Sequence, residues 1–114
     1  VNANVEFTDI WTFPSVKPYK GKHPAEKPIE MLEHCINSTT FENDIVLDCF
    51  AGSGSTLLSA LRTGRYAIGI EIDKHWCESI RKRLQTFSQL PMDGLNGNKI
   101  MKGSLQYKEM PTLF

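Results

Sequence analysis

Apolar positions recur with a period that changes along the chain, and each change marks a new element. Val5, Phe7, Ile10, Trp11 and Phe13 give residues 5–13 a strand-like pattern, after which Pro14, Pro18 and Gly21 break a lysine-rich segment into a loop. Pro28 suits a first helical position, and Ile29, Met31, Leu32, Cys35 and Ile36 follow at helical spacing until Asn37 and Ser38 stop the run. The pattern predicts a helix of about nine residues there. Residues 44–50, DIVLDCF, are short, apolar and β-branched at their start, and they run directly into AGSGS. That predicts a buried strand entering a glycine turn. Ser55 or Thr56 can cap the next helix, which carries Leu57, Leu58, Ala60 and Leu61 and meets Gly64 at its C-terminal end. Residues 66–72, YAIGIEI, form a second apolar strand ending in an acid, and Asp73 caps a helix through Ile80 and Leu84.

Strand, helix, strand, helix is the order of an α/β fold, because each return to a parallel neighbour requires a crossover. The fold class expected is α/β, with a parallel sheet and flanking helices. Past residue 85 the signal fades into a polar stretch with Gly94, Gly97 and Gly103 and a tail without pattern. The 114 residues therefore divide into a strand and basic loop (1–22), a core (23–84) and a tail (85–114) within one domain or a piece of one.

Composition adds limits. Hydrophobic residues at 40% and charged residues at 23% are ordinary for a globular chain, and 13 Lys plus Arg balance 13 Asp plus Glu. That balance gives no global attraction for nucleic acid or membrane, although local patches remain open to it. No apolar run approaches the roughly 20 residues of a membrane span, and the N-terminus has no signal-like pattern, so a soluble, cytoplasmic protein is expected. Cys35, Cys49 and Cys77 form an odd set without a CxxC pair, which argues for reduced thiols and against disulfides or zinc. His23, His34 and His75 lack the spacing of a ligand set, so no metal is expected.

Chemistry concentrates in residues 48–56, DCFAGSGST, between the first apolar strand and its helix. A GxG turn lets backbone approach a ligand and leaves helix N-terminal N–H groups facing the site. Alone it is unspecific: Leu57 stands where a dinucleotide fold has its third glycine, and no GK[ST] follows. Glu71 sharpens the reading. It lies 19 residues after Gly52, at a strand end, where a carboxylate can accept from both hydroxyls of a ribose. Ribose is thus better supported than phosphate.

LDCFAGSGST followed by AIGIEID and preceded by KHPAEKP resembles the cofactor-binding motifs of S-adenosylmethionine-dependent DNA amino methyltransferases, which methylate adenine N6 or cytosine N4. With HPxxKP ahead of DxFxGxG, the order is similar to the permuted (beta) class, and the resemblance covers about residues 9 to 84. It implies part of a Rossmann-like methyltransferase fold, with S-adenosylmethionine as cofactor, DNA as the partner of the intact enzyme, and a restriction-modification or phage setting. Cys49 replaces the family's usual Pro, and Ser55 its usual Thr. Carried over by matching position, Asp48, Phe50, Ala51, Gly52, Gly54 and Ser55 belong to the cofactor turn. Glu71 holds the ribose, Ile72 packs near the adenine, and His23, Lys27 and Pro28 match HPxxKP, with Lys27 able to face the methionine carboxylate.

The family's catalytic Asp/Ser/Asn-Pro-Pro-aromatic motif, which grips the amino group of a flipped base, has no match here, since all 6 prolines are isolated. In the permuted class that motif precedes the segment seen here, so the chain resembles the C-terminal portion of such an enzyme and is expected to be inactive alone. No catalytic residue is assigned. The alternative is a non-catalytic cofactor- or nucleotide-binding α/β module, or a subunit whose partner carries the catalytic half. A sheet lacking its neighbours also leaves an edge open to self-association. Lys17, Lys20, Lys22 and Lys27 can contact DNA phosphates or form a solvated loop.

Overall fold

The computed structural model describes residues 10–89. Five elements follow in the order α1 (Ile29–Thr39), β1 (Ile45–Asp48), α2 (Ser55–Arg62), β2 (Tyr66–Gly69) and α3 (Lys74–Gln89). The two strands are parallel neighbours, with Ile45 opposite Tyr66 and Asp48 opposite Gly69. α2 is the crossover between them, as the alternating pattern requires. Of the expected strand over residues 5–13, the part up to residue 9 lies outside the described residues, and residues 10–13 form no strand.

α2 covers one face of the sheet. Gly69 makes this close approach possible: a Cβ there would stand 2.5 Å from Leu57 Cδ1. Ala51, Leu57, Ile80 and Leu84 form the buried cluster, joined by Leu58, Leu61 and Ala67. α1 packs on α2, and the pair is tied by the Arg62 Nε to Glu33 Oε1 ion pair at 2.5 Å. At the opposite end of the strands from the glycine turn, Arg65 donates to Asn37 Oδ1, Thr40 Oγ1 and the Thr40 carbonyl, so it satisfies groups at the end of α1.

Four expectations are corrected. The strand over 44–50 is not buried: Ile45 is 63% and Leu47 57% exposed. Both side chains point away from α2, and among the described residues no element packs over that face. The cap of α2 is not Ser55 or Thr56 but Gly54, which holds a left-handed conformation (φ 79°) that glycine adopts without strain. β2 stops at Gly69 rather than reaching residue 72, although the pairing persists one residue further, where the Ile70 N–H donates to the Asp48 carbonyl at 2.9 Å. α3 continues past residue 84 to Gln89 because Phe87 extends its buried stripe of Ile80 and Leu84.

Candidate functional site

The glycine turn and Glu71 meet at the C-terminal ends of the two parallel strands, which is where open α/β sheets bind ligands. β1 ends at Asp48, whose Oδ1 accepts the Phe50 N–H at 3.0 Å and closes a local turn. Ala51 is buried, and its N–H donates to the Ile70 carbonyl at 2.9 Å, which pins the turn to the strand beside it. Gly52 follows with φ 54° and Gly54 with φ 79°, both in the region that side chains avoid.

Each glycine is also required by a neighbour. A Cβ on Gly52 would lie 3.2 Å from His23 Nε2, and one on Gly54 would lie 3.0 Å from Ile80 Cγ1. The expectation that these glycines admit a ligand is therefore joined by a second use: they admit the protein's own side chains.

Glu71 is the junction of the site. Its Oε2 accepts the Gly52 N–H at 2.7 Å, and its Oε1 accepts the Asp73 N–H at 2.9 Å. One carboxylate thus fixes the glycine turn relative to the start of α3. Each oxygen has a further lone pair, so the group retains capacity for two hydroxyl donors. Asp73 then caps α3 as expected, with Oδ1 accepting the His75 N–H at 2.8 Å. Phe50 and Ile72, which follow the two strand ends, are 91% and 98% exposed. Open apolar side chains at both strand ends, with a carboxylate that keeps spare acceptors, suit a ligand with a ring and a diol, and S-adenosylmethionine has both.

The KHPAEKP loop lies against this turn. His23 sits edge-on to Trp76, with ring centroids 4.4 Å apart, and its Nδ1 accepts the Ala25 N–H at 3.1 Å. Lys27 is exposed, and Pro28 occupies the position before α1 rather than its first helical turn. Ser55 is buried, with its Oγ 3.0 Å from Ser53 Oγ.

Four residues of this region carry no family motif signal. Arg83 donates to the Ser53 carbonyl at 3.0 Å and to Ser55 Oγ at 3.1 Å, and it reaches Glu26 Oε1 at 3.4 Å. The other Glu26 oxygen accepts from the Tyr19 hydroxyl, and that carboxylate raises the Tyr19 pKa, with burial adding to it. Trp76 is the fourth. A sequence signal for Arg83 exists: it stands three residues after buried Ile80 and one before buried Leu84, on the edge of an apolar stripe where a cation needs a partner. Burial, then the nearby charges of Glu71 and Asp73, raise the Cys77 pKa.

Among the described residues no group of three His, Cys, Asp or Glu side chains can hold a metal ion, and no helix is long and apolar enough to cross a membrane.

A family model described as DNA methylase (N6_N4_Mtase) matches residues 1–82. The type II methyltransferase M2.DpnII of Streptococcus pneumoniae is 41% identical over 88 residues, covering 75% of this chain and 33% of that protein. M2.LlaDCHI of Lactococcus lactis subsp. cremoris is 42% identical over 86 residues, covering 73% and 32%. In the crystal structure of the M1.HpyAVI–SAM complex, 42% of that chain superposes on 65% of this one with a TM-score of 0.54 and 37% identity. The chain thus spans about a third of the length of these curated relatives, and the described elements form part of the Rossmann-like fold of the methyltransferase on which they superpose.

Proposed function

The chain belongs to the N6/N4 DNA methylase family, and on that premise we propose that residues 23–84 form the S-adenosylmethionine-binding part of a DNA methyltransferase acting on the exocyclic amino group of adenine (N6) or cytosine (N4). A restriction-modification system is the setting that its type II relatives support. The observation that carries the reading is Glu71, whose carboxylate holds the glycine turn and keeps acceptor capacity at the open strand ends between exposed Phe50 and Ile72.

S-adenosylmethionine, when bound, supplies an electrophilic methyl group for the target amine. This chain's residues bind and orient. Glu71 accepts from the ribose hydroxyls, Phe50 and Ile72 flank the adenine, and the backbone of residues 52–54 leaves room for close approach. Lys27 meets the carboxylate at the other end. Asp48 and Ala51 act through the turn that they shape, while His23, Pro28 and Ser55 hold its neighbours. DNA is the partner of the complete enzyme, with Lys17, Lys20 and Lys22 facing phosphates, and the bare apolar sheet face is the surface through which copies of this chain associate.

Calorimetric titration with S-adenosylmethionine and its demethylated product tests the reading against nucleotide binding in general. Both should bind, and ATP or NAD should not. Equal binding of ATP, or no binding of either methionine compound, overturns it.

A further inference from the structure

We propose that Arg83 is a positioning residue of the cofactor site, a three-way clamp that locks the loop of residues 23–28 to the glycine turn so that the two present one preformed surface. The proposal rests on the cofactor reading above. Arg83 comes from α3, 30 positions from Ser53 in sequence, and it gathers three partners from two other segments: the Ser53 carbonyl, Ser55 Oγ and Glu26 Oε1. A planar guanidinium can serve partners in different directions at once, whereas a lysine ammonium is a point charge.

Each partner matters to the site for its own reason. Ser53 lies between two glycines with positive φ, and glycine resists few alternative conformations, so the turn needs an outside restraint to hold one of them. Arg83 supplies it by gripping the Ser53 carbonyl, which fixes the peptide between Ser53 and Gly54. Glu26 governs the loop. Its side chain is only 5% exposed, its carboxylate is held by Arg83 and the Tyr19 hydroxyl, and its N–H donates to the His23 carbonyl at 3.1 Å. Anchoring Glu26 therefore anchors His23, whose ring fills the space beside Gly52, and it fixes the backbone from which Lys27 projects. Arg83 thereby controls both walls of the site.

The test compares Arg83→Gln, Arg83→Lys and Glu26→Gln with the unmodified chain. In NMR spectra without cofactor, Arg83→Gln should move the amide signals of Gly52, Ser53 and Gly54 and the ring C–H signals of His23, and should leave the amides of Asn43 and Arg65, at the other end of the sheet, in place. S-adenosylmethionine affinity should fall roughly tenfold at a temperature where helix content is unchanged, the size expected for one lost hydrogen bond to a charged group. Arg83→Lys should lose as much, and Glu26→Gln combined with Arg83→Gln should add little to Arg83→Gln alone, because the three groups act as one unit. Unmoved turn and His23 signals, or full affinity in Arg83→Lys, overturn the clamp. If the unmodified chain binds no cofactor, the cofactor reading fails by itself, and the amide signals still decide whether Arg83 holds the turn and the loop together.

Discussion

Replacing Glu71 by Gln removes one charge and exchanges one acceptor oxygen for a donor, at a position where both oxygens accept from backbone N–H groups. The Gly52 contact at 2.7 Å is partly buried and the Asp73 contact at 2.9 Å is exposed. Gln can satisfy one of them, and the cheaper choice turns its oxygen to Gly52 and leaves the Asp73 N–H to water. A hydrogen bond to a charged group contributes about 1.5–3 kcal/mol, and solvent replaces part of that at the exposed end. A stability loss of about 1 kcal/mol follows, which lowers Tm by roughly 4–8 °C in a domain of this size. With Glu71 holding the ribose as proposed, the ligand loses a charged acceptor as well, so affinity for S-adenosylmethionine should drop at least about tenfold, since about 1.4 kcal/mol is one power of ten. Glu71→Ala, which satisfies neither N–H, should fall below Glu71→Gln in both respects. Thermal melting by circular dichroism and calorimetric titration at low temperature read the two effects separately. Unchanged Tm and affinity in Glu71→Gln would refute the assignment of the carboxylate to both the turn and the ribose. A lowered Tm with full affinity would leave Glu71 a structural group only.

Gly69→Ala places a methyl 2.5 Å from a methyl of Leu57, which is 5% exposed and has little room to move. It should cost about 1–3 kcal/mol in denaturant unfolding, and a neutral result would show that α2 does not sit this close to β2. Leu47→Glu, on the sheet face that no described element covers, should abolish concentration-dependent association in light scattering without loss of helix content, while a chain monomeric at every concentration would remove the face as an association surface. Replacing Lys17, Lys20 and Lys22 by Ala should flatten the salt dependence of weak DNA binding, and an unaltered slope would return that loop to solvent. The 114-residue chain alone should transfer no methyl group to DNA, because none of its residues matches the motif that holds the target amine, and measurable transfer would show another grip within it.

Much of this arrangement is visible in the residues themselves. The crossover from β1 through α2 to β2 follows from two short apolar runs separated by one helical period, and Asp73 announces the start of α3. That Glu71 comes to the glycine turn is legible in their shared position at the strand ends, but the direct bond to Gly52 is not, because the motifs do not say which N–H the carboxylate meets. Gly54 defeats a rule of composition: hydroxyl residues are preferred caps, yet the backbone here turns left-handed, and Ser55 is drawn inward to Ser53 and Arg83 instead. The exposure of β1 is not legible, because an apolar run states what a strand can bury and not what stands over it. The contacts of Arg83, Glu26 and Tyr19 are not legible either, because they join segments far apart in the chain and depend on how α3 crosses the turn.

The most direct measurement is a crystal structure of the chain with the demethylated cofactor product. The expected density places both ribose hydroxyls within hydrogen-bond distance of Glu71, the adenine between Phe50 and Ile72, and the glycine turn against the ligand. A ligand bound elsewhere, or one whose ribose is held by groups other than Glu71 while the residue keeps only its bonds to Gly52 and Asp73, would contradict the assignment of this site.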